Sequence, residues 1–141
     1  MAEAKDPQFV HLRVKSEFSL LDAAVRTKDL AKWARAGGMP AVAVCDTANL
    51  FGVFEISDAL AKEGIQPIVG CLVPFEPVAE SVSGSHPKPP LLPVLVQNRA
   101  GYLNLLKLIS SAYLDVGEGE WPHVVPAYLA AHTEGLIALS G

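Results

Sequence analysis

Positive charge, cysteine, aromatic residues and long apolar runs are all scarce in this chain, and each scarcity removes a class of function. Eleven Lys and Arg stand against 15 Asp and Glu in 141 residues, for a net charge of -4 and a pI near 5.5. No basic field is left to hold a phosphate backbone, so direct nucleic-acid binding by this segment is not expected. Two cysteines, Cys45 and Cys71, are too few for a disulfide framework. Both fall in predicted strands, where cysteine serves as a small buried hydrophobe. The opening MAEAKDPQF has no apolar stretch of signal-peptide type, and no run reaches membrane-spanning length, so a soluble, cytoplasmic chain without a membrane partner is expected. A glycine-rich phosphate loop is also missing, since Gly37 and Gly38 sit where a helix should end. Aromatic residues make up 7% of the chain, and Trp33 and Trp121 read as packing and loop-anchoring residues rather than base-stacking platforms.

What is present is a hydrophobic share of 50%, enough for one packed core, so one domain or a piece of one. The segment 40–52, PAVAVCDTANLFG, sets the pattern: a short apolar run, a polar corner at Asp46 to Asn49, then helical periodicity from Leu50. Other strands are predicted at 9–14, 67–75, 91–96 and 136–139. Thr27 is expected to cap a helix with Leu30, Trp33 and Ala34 on its inner face, and Asn49 to cap one burying Leu50, Val53, Phe54, Leu60 and Ala61. Gly64 should stop that second helix. Asn98 should cap a third, with Tyr102, Leu105, Leu106, Ile109, Ala112 and Tyr113 on one stripe, and 126–132 should form a short fourth. Residues 76–90, rich in Pro, Ser and Gly, read as a mobile surface loop.

Strands alternating with helices imply an α/β fold with right-handed crossovers and a parallel sheet. The sequence given closes on Ser140 and Gly141 just after the fifth strand, the look of an excised fragment, and an open sheet edge there implies self-association. In parallel α/β folds side chains converge on a ligand at the carboxyl ends of the strands. Those ends offer Arg13, Lys15 and Glu17 after the first strand, Asp46 and Thr47 after the second, and Leu72 in the third. Hydrolytic metal centres need several His, Asp or Glu ligands. Cations stand here instead, and a direct ion pair from Arg13 or Lys15 to Asp46 is expected to close the site. His11, His86, His123 and His132 are not at ligand spacing, Ser16 and Ser19 have no adjacent base, and His11 reads as a hydrogen-bonded core or supporting residue. Two rival readings are a metal-dependent phosphoesterase using Asp46, His11 and Glu17, and an anion-binding module using Arg13 and Lys15.

At these same corners the sequence resembles a family. FVHLRVKSEFSLLDAA, GMPAVAVCDTANLFGVFEISDALAKEGIQPIVGCLV, GYLNLLKLISSAYL and EGLIALSG look like the opening of bacterial DNA polymerase III alpha subunits, whose N-terminal module is the PHP (polymerase and histidinol phosphatase) domain. The resemblance implies a distorted β/α barrel of which this chain, residues 1–141, would be the first half: a partial (β/α) barrel of mostly parallel strands alternating with helices, truncated after the fifth strand. In metal-binding PHP domains a His-x-His motif falls on Arg13 and Lys15, an Asp-His pair on Asp46 and Thr47, and an acidic ligand on Leu72. What is implied is a vestigial site of Arg13, Lys15, Asp46, Thr47 and Leu72, with His11 and Glu17 behind it, no metal and no catalytic residue. The parent would be a template-directed DNA polymerase using Mg2+ at a palm domain outside this segment. Implied partners are the parent's other domains and a proofreading exonuclease.

Overall fold

The computed structural model describes residues 9–76 and 88–140. One five-stranded sheet runs in the order β1 (His11–Val14), β2 (Ala41–Thr47), β3 (Gln66–Pro74), β4 (Leu91–Val96), β5 (Leu136–Ala138). Between the strands lie α1 (Thr27–Ala36), α2 (Val53–Lys62), α3 (Arg99–Leu114) and α4 (Pro126–Ala131). β1, β2 and β3 pair in parallel, whereas β4 is antiparallel to both β3 and β5. Four strands therefore share one direction and β4 is reversed, so the sheet is mostly parallel, as expected from sequence. β4 lies beside β3 in antiparallel register from Pro74↔Leu91 to Gly70↔Leu95, extended by the Phe75 amide donating to the Pro90 carbonyl. The sheet is not closed, which is the partial barrel expected. The mobile loop expected at 76–90 falls largely outside the described residues, as does His86.

All four helices pack on one face. Along β2, Val42 and Val44 join Leu30, Ala31 and Ala34 of α1 and Ile56 and Leu60 of α2. Cys71, Val73 and Val94 meet Leu105, Leu108 and Ala112 of α3 on the same side. Ala43, Cys45, Leu72 and Leu95 point to the opposite face and form a cluster without helical members. Central strands buried on both sides are why β2 and β3 read as continuous apolar runs. Each large core side chain contributes about 1.5–3 kcal/mol by leaving water.

Several helix details depart from expectation. Thr27 is the first residue of α1 and not its cap; Arg26 precedes it without a side-chain capping bond. Asn49 accepts from the Phe51 amide within the turn, and α2 starts later, at Val53. Trp33, Phe54 and Ala61 face solvent, because the buried face of each helix runs one position over, through Thr27, Leu30, Ala31 and Ala34 in α1 and through Ile56 and Leu60 in α2. Gly64 ends α2 as expected, at φ 72°, with Ile65 donating to Leu60 in the closing turn.

Asn98 does cap α3, its side chain accepting from the Gly101 amide at 3.0 Å. The inner face of α3, however, is Gly101, Leu105, Leu108, Ser111 and Ala112, with Leu106 and Tyr113 outside. Gly101 explains the rotation: a Cβ there would lie 1.8 Å from the carbonyl oxygen of Gly135, which also receives the Gln97 amide. The helix thus rests backbone to backbone on the turn that launches β5. Gly101→Ala is expected to cost about 3 kcal/mol or more, the upper end for overpacking, read as a lowered urea midpoint.

Candidate functional site

The carboxyl ends of β1 and β2 are organised by one buried carboxylate. Asp46 is 4% exposed and accepts three hydrogen bonds at 2.7 Å, from the Ser16 amide, the Ser16 hydroxyl and the Ser19 hydroxyl. Ser16 and Ser19 are themselves buried, and the Ser19 and Asp22 amides continue the turn onto the carbonyls of Ser16 and Ser19. The segment after β1 is thereby folded down over the end of β2. Asn49 secures it from the other side, donating to the carbonyls of Phe18 and Thr47. Its neighbour Ala48 holds a left-handed backbone at φ 55° and donates to the Leu72 carbonyl, which ends β2.

The expected ion pair from Arg13 or Lys15 to Asp46 is not formed. Strand alternation is the cause: Asp46 shares a face with Val42 and Val44, whereas Thr47 pairs in register with Leu72 on the opposite face. Lys15 instead makes an ion pair with Asp22, and the Thr47 hydroxyl donates to the same carboxylate oxygen at 3.3 Å. Asp22 is the residue that sequence reasoning missed; it sits inside a stretch read only as connecting, and its one signal was an acidic side chain in an otherwise apolar turn, LLDAAV. Its carboxyl is held below the ordinary value, first by the hydrogen bond and charge of Lys15, then by the Thr47 hydroxyl and the charge of Lys88.

The remaining expected residues divide clearly. Leu72 is fully buried in the cluster with Ala43 and Cys45, offering no donor. Arg13 is exposed on β1, with no ion-pair partner among the described residues, though its charge reaches the Cys45 thiol. His11 is exposed and meets the ring of Phe9 edge-on, a correction to its expected place in the core or behind the site. Glu17 turns away as well, accepting from the amide and hydroxyl of Thr27 at 3.3 Å, where a carboxylate favours the start of α1. His123 and His132 are bound to the carbonyls of Trp121 and Tyr128, outside this end of the sheet.

This donor set does not fit a divalent metal. Lys15 supplies a fixed positive charge beside Asp22, Leu72 supplies hydrocarbon, and Asp46 is directed into its serine clamp. Among the described residues no group of three or more His, Cys, Asp or Glu is placed to hold an ion. Both cysteines are free and buried, with their thiols pushed up to about 12 chiefly by burial.

Three outcomes follow from this geometry. Asp46→Asn leaves three donors facing one oxygen and an amide, and should lower folding stability by about 2–3 kcal/mol in urea titration. Because the Asp22 carboxyl has a lowered value when folded, its contribution is present at neutral pH and is lost as pH falls below 3.8 and through that lower value. Lys15→Met should therefore flatten that part of the acid-unfolding curve. Cys45 and Cys71 should not react with a thiol reagent at pH 8 until the chain unfolds.

The PHP domain sequence profile matches residues 11–141. The chain is 44% identical over its whole length to the DNA polymerase III subunit alpha of Caulobacter vibrioides, and 40% identical over 96% of its length to that of Escherichia coli K12. It spans only 12% and 11% of those two relatives. A Bifidobacterium adolescentis structure described as a metal-dependent phosphoesterase superposes on 74% of the chain with a TM-score of 0.54 at 19% identity, the chain covering 33% of that structure. With the profile match running from β1 to the last residue, over an open sheet whose helices all lie on one face, the chain belongs to the PHP domain family.

Proposed function

We propose that the chain is the PHP segment of a replicative DNA polymerase III alpha subunit, located in the cytoplasm, and that within it the segment is a metal-free scaffold. Nucleotidyl transfer and its Mg2+ belong to parts of the parent outside these residues. The segment's own contribution is support of the polymerase core and docking of a proofreading exonuclease. The observation that carries the scaffold reading is the Lys15–Asp22–Thr47 cluster: an ammonium group occupies the end of the sheet where a metal-binding relative would place ligands. A divalent ion brought there meets a like charge and loses the one available carboxylate to Lys15. The relatives named DNA polymerase III subunit alpha support the parent assignment. The open edges at β1 and β5 support self-association of the isolated segment, a property distinct from its role in the parent.

The rival phosphoesterase reading draws on the Bifidobacterium structure, whose likeness extends to the fold. Incubation with zinc or manganese followed by assay on a phosphate monoester and on single-stranded DNA separates the two. No turnover above background is the expected result, and cleavage that a chelator stops would overturn the metal-free scaffold. The docking role is tested in the parent: deleting the segment should weaken exonuclease retention on a gel-filtration column. An alpha subunit that stays folded and holds the exonuclease equally well after the deletion removes that role.

A further inference from the structure

α3 is apolar on more than the side it buries. Its inner face packs on β3, β4 and Val124, yet Leu103, Leu106, Tyr113 and Leu114 are exposed by 48%, 38%, 51% and 80%. At 100° per residue these four, with Ser110 between them, form one stripe on the side opposite Gly101, Leu105, Leu108 and Ala112. Arg99, exposed in the first turn, begins this same stripe, and Lys107, at its border, is the one other charged residue in the helix. α1 looks quite different, turning Lys28, Lys32 and Arg35 outward. A helix apolar on opposite faces is normally covered on both.

We infer that the outer stripe of α3 is a permanent contact surface, covered by an apolar-faced segment of the same polypeptide lying outside these 141 residues. Two observations select that occupant. The curated relatives are many times longer than this chain, which spans 12% of the Caulobacter protein, so ample polypeptide exists to cover it. Between Leu103 and Leu114 the stripe itself carries no charge, which matches contacts that never separate, whereas partners that come and go meet more polar surfaces. The inference rests on the reading of the chain as a segment of a longer polymerase subunit, and a parent reading frame that stopped at Gly141 would refute that reading.

The test uses the full-length parent, carrying Leu106→Cys or Leu114→Cys, with Lys62→Cys on the outer side of α2 as reference. Maleimide labelling is read from the mass of the peptide containing each position; Cys45 and Cys71, being buried, add no labelling in this region. Labelling at 106 and 114 should be slower than at 62 by about tenfold or more. Hydroxyl-radical footprinting of the unsubstituted parent gives the same answer at Leu106, Tyr113 and Leu114 should either cysteine variant fail to fold. Labelling as fast as at 62, protection that appears only on adding a separate protein, or protection that depends on the parent's own concentration would each overturn the assignment.

Discussion

The carboxylate of Asp46, buried and held by three short hydrogen bonds, is the constraint from which the local architecture descends. A carboxylate shut away from water without partners would be very costly, and hydrogen bonds to a charged group contribute about 1.5–3 kcal/mol each when well formed. The serine loop therefore has little choice of conformation. Once Ser16 and Ser19 are docked, the turn that follows carries Asp22 across the end of β2 to Lys15 and Thr47. The outward arrangement at the rim is a consequence of the inward one at Asp46.

Two adjacent residues, Asp46 and Thr47, thus serve separate environments. The first is tied to the helix-bearing side of the sheet and to folding, while the second faces the side with Cys45 and Leu72. A reading that treats them as one polar corner merges what the strand separates. Lys15 satisfies Asp22 at the rim much as a bound cation would, but as part of the covalent chain. The ion pair is solvent-exposed, and its effect is to neutralise local charge more than to hold the fold.

Much of the framework was legible in sequence. The strands at 91–96 and 40s to 70s, the end of α2 at Gly64 and the Asn98 cap all follow from local rules and appear where those rules put them. Three things did not follow. β4's reversal depends on what joins β3 to β4, and a Pro- and Ser-rich stretch carries no periodicity from which direction can be read. The inner face of α3 was ambiguous because apolar side chains occur around the helix, and only the contact between Gly101 and Gly135, distant in sequence, selects one face. The positions of Asp46 and Asp22 depend on strand alternation and on serine donors from another segment. Composition identified a cationic end of the sheet but not the carboxylate that meets it.

β4's reversed course also changes the field along the rim. Because α1 and α2 follow strands that end there, they begin at the rim, where Glu17 takes the Thr27 amide; α3 follows a strand that ends at the far side, so it arrives with its terminal carbonyls. Helix ends carry partial charges of opposite sign, effective over about one turn. The rim is therefore electrically lopsided: carboxylates of Glu17, Asp29 and Glu55 answer the starts of α1 and α2, whereas the end of α3 presents carbonyls beside Leu114 and Asp115. One reversed strand thus gives the two flanks of a single rim backbone ends of opposite sign.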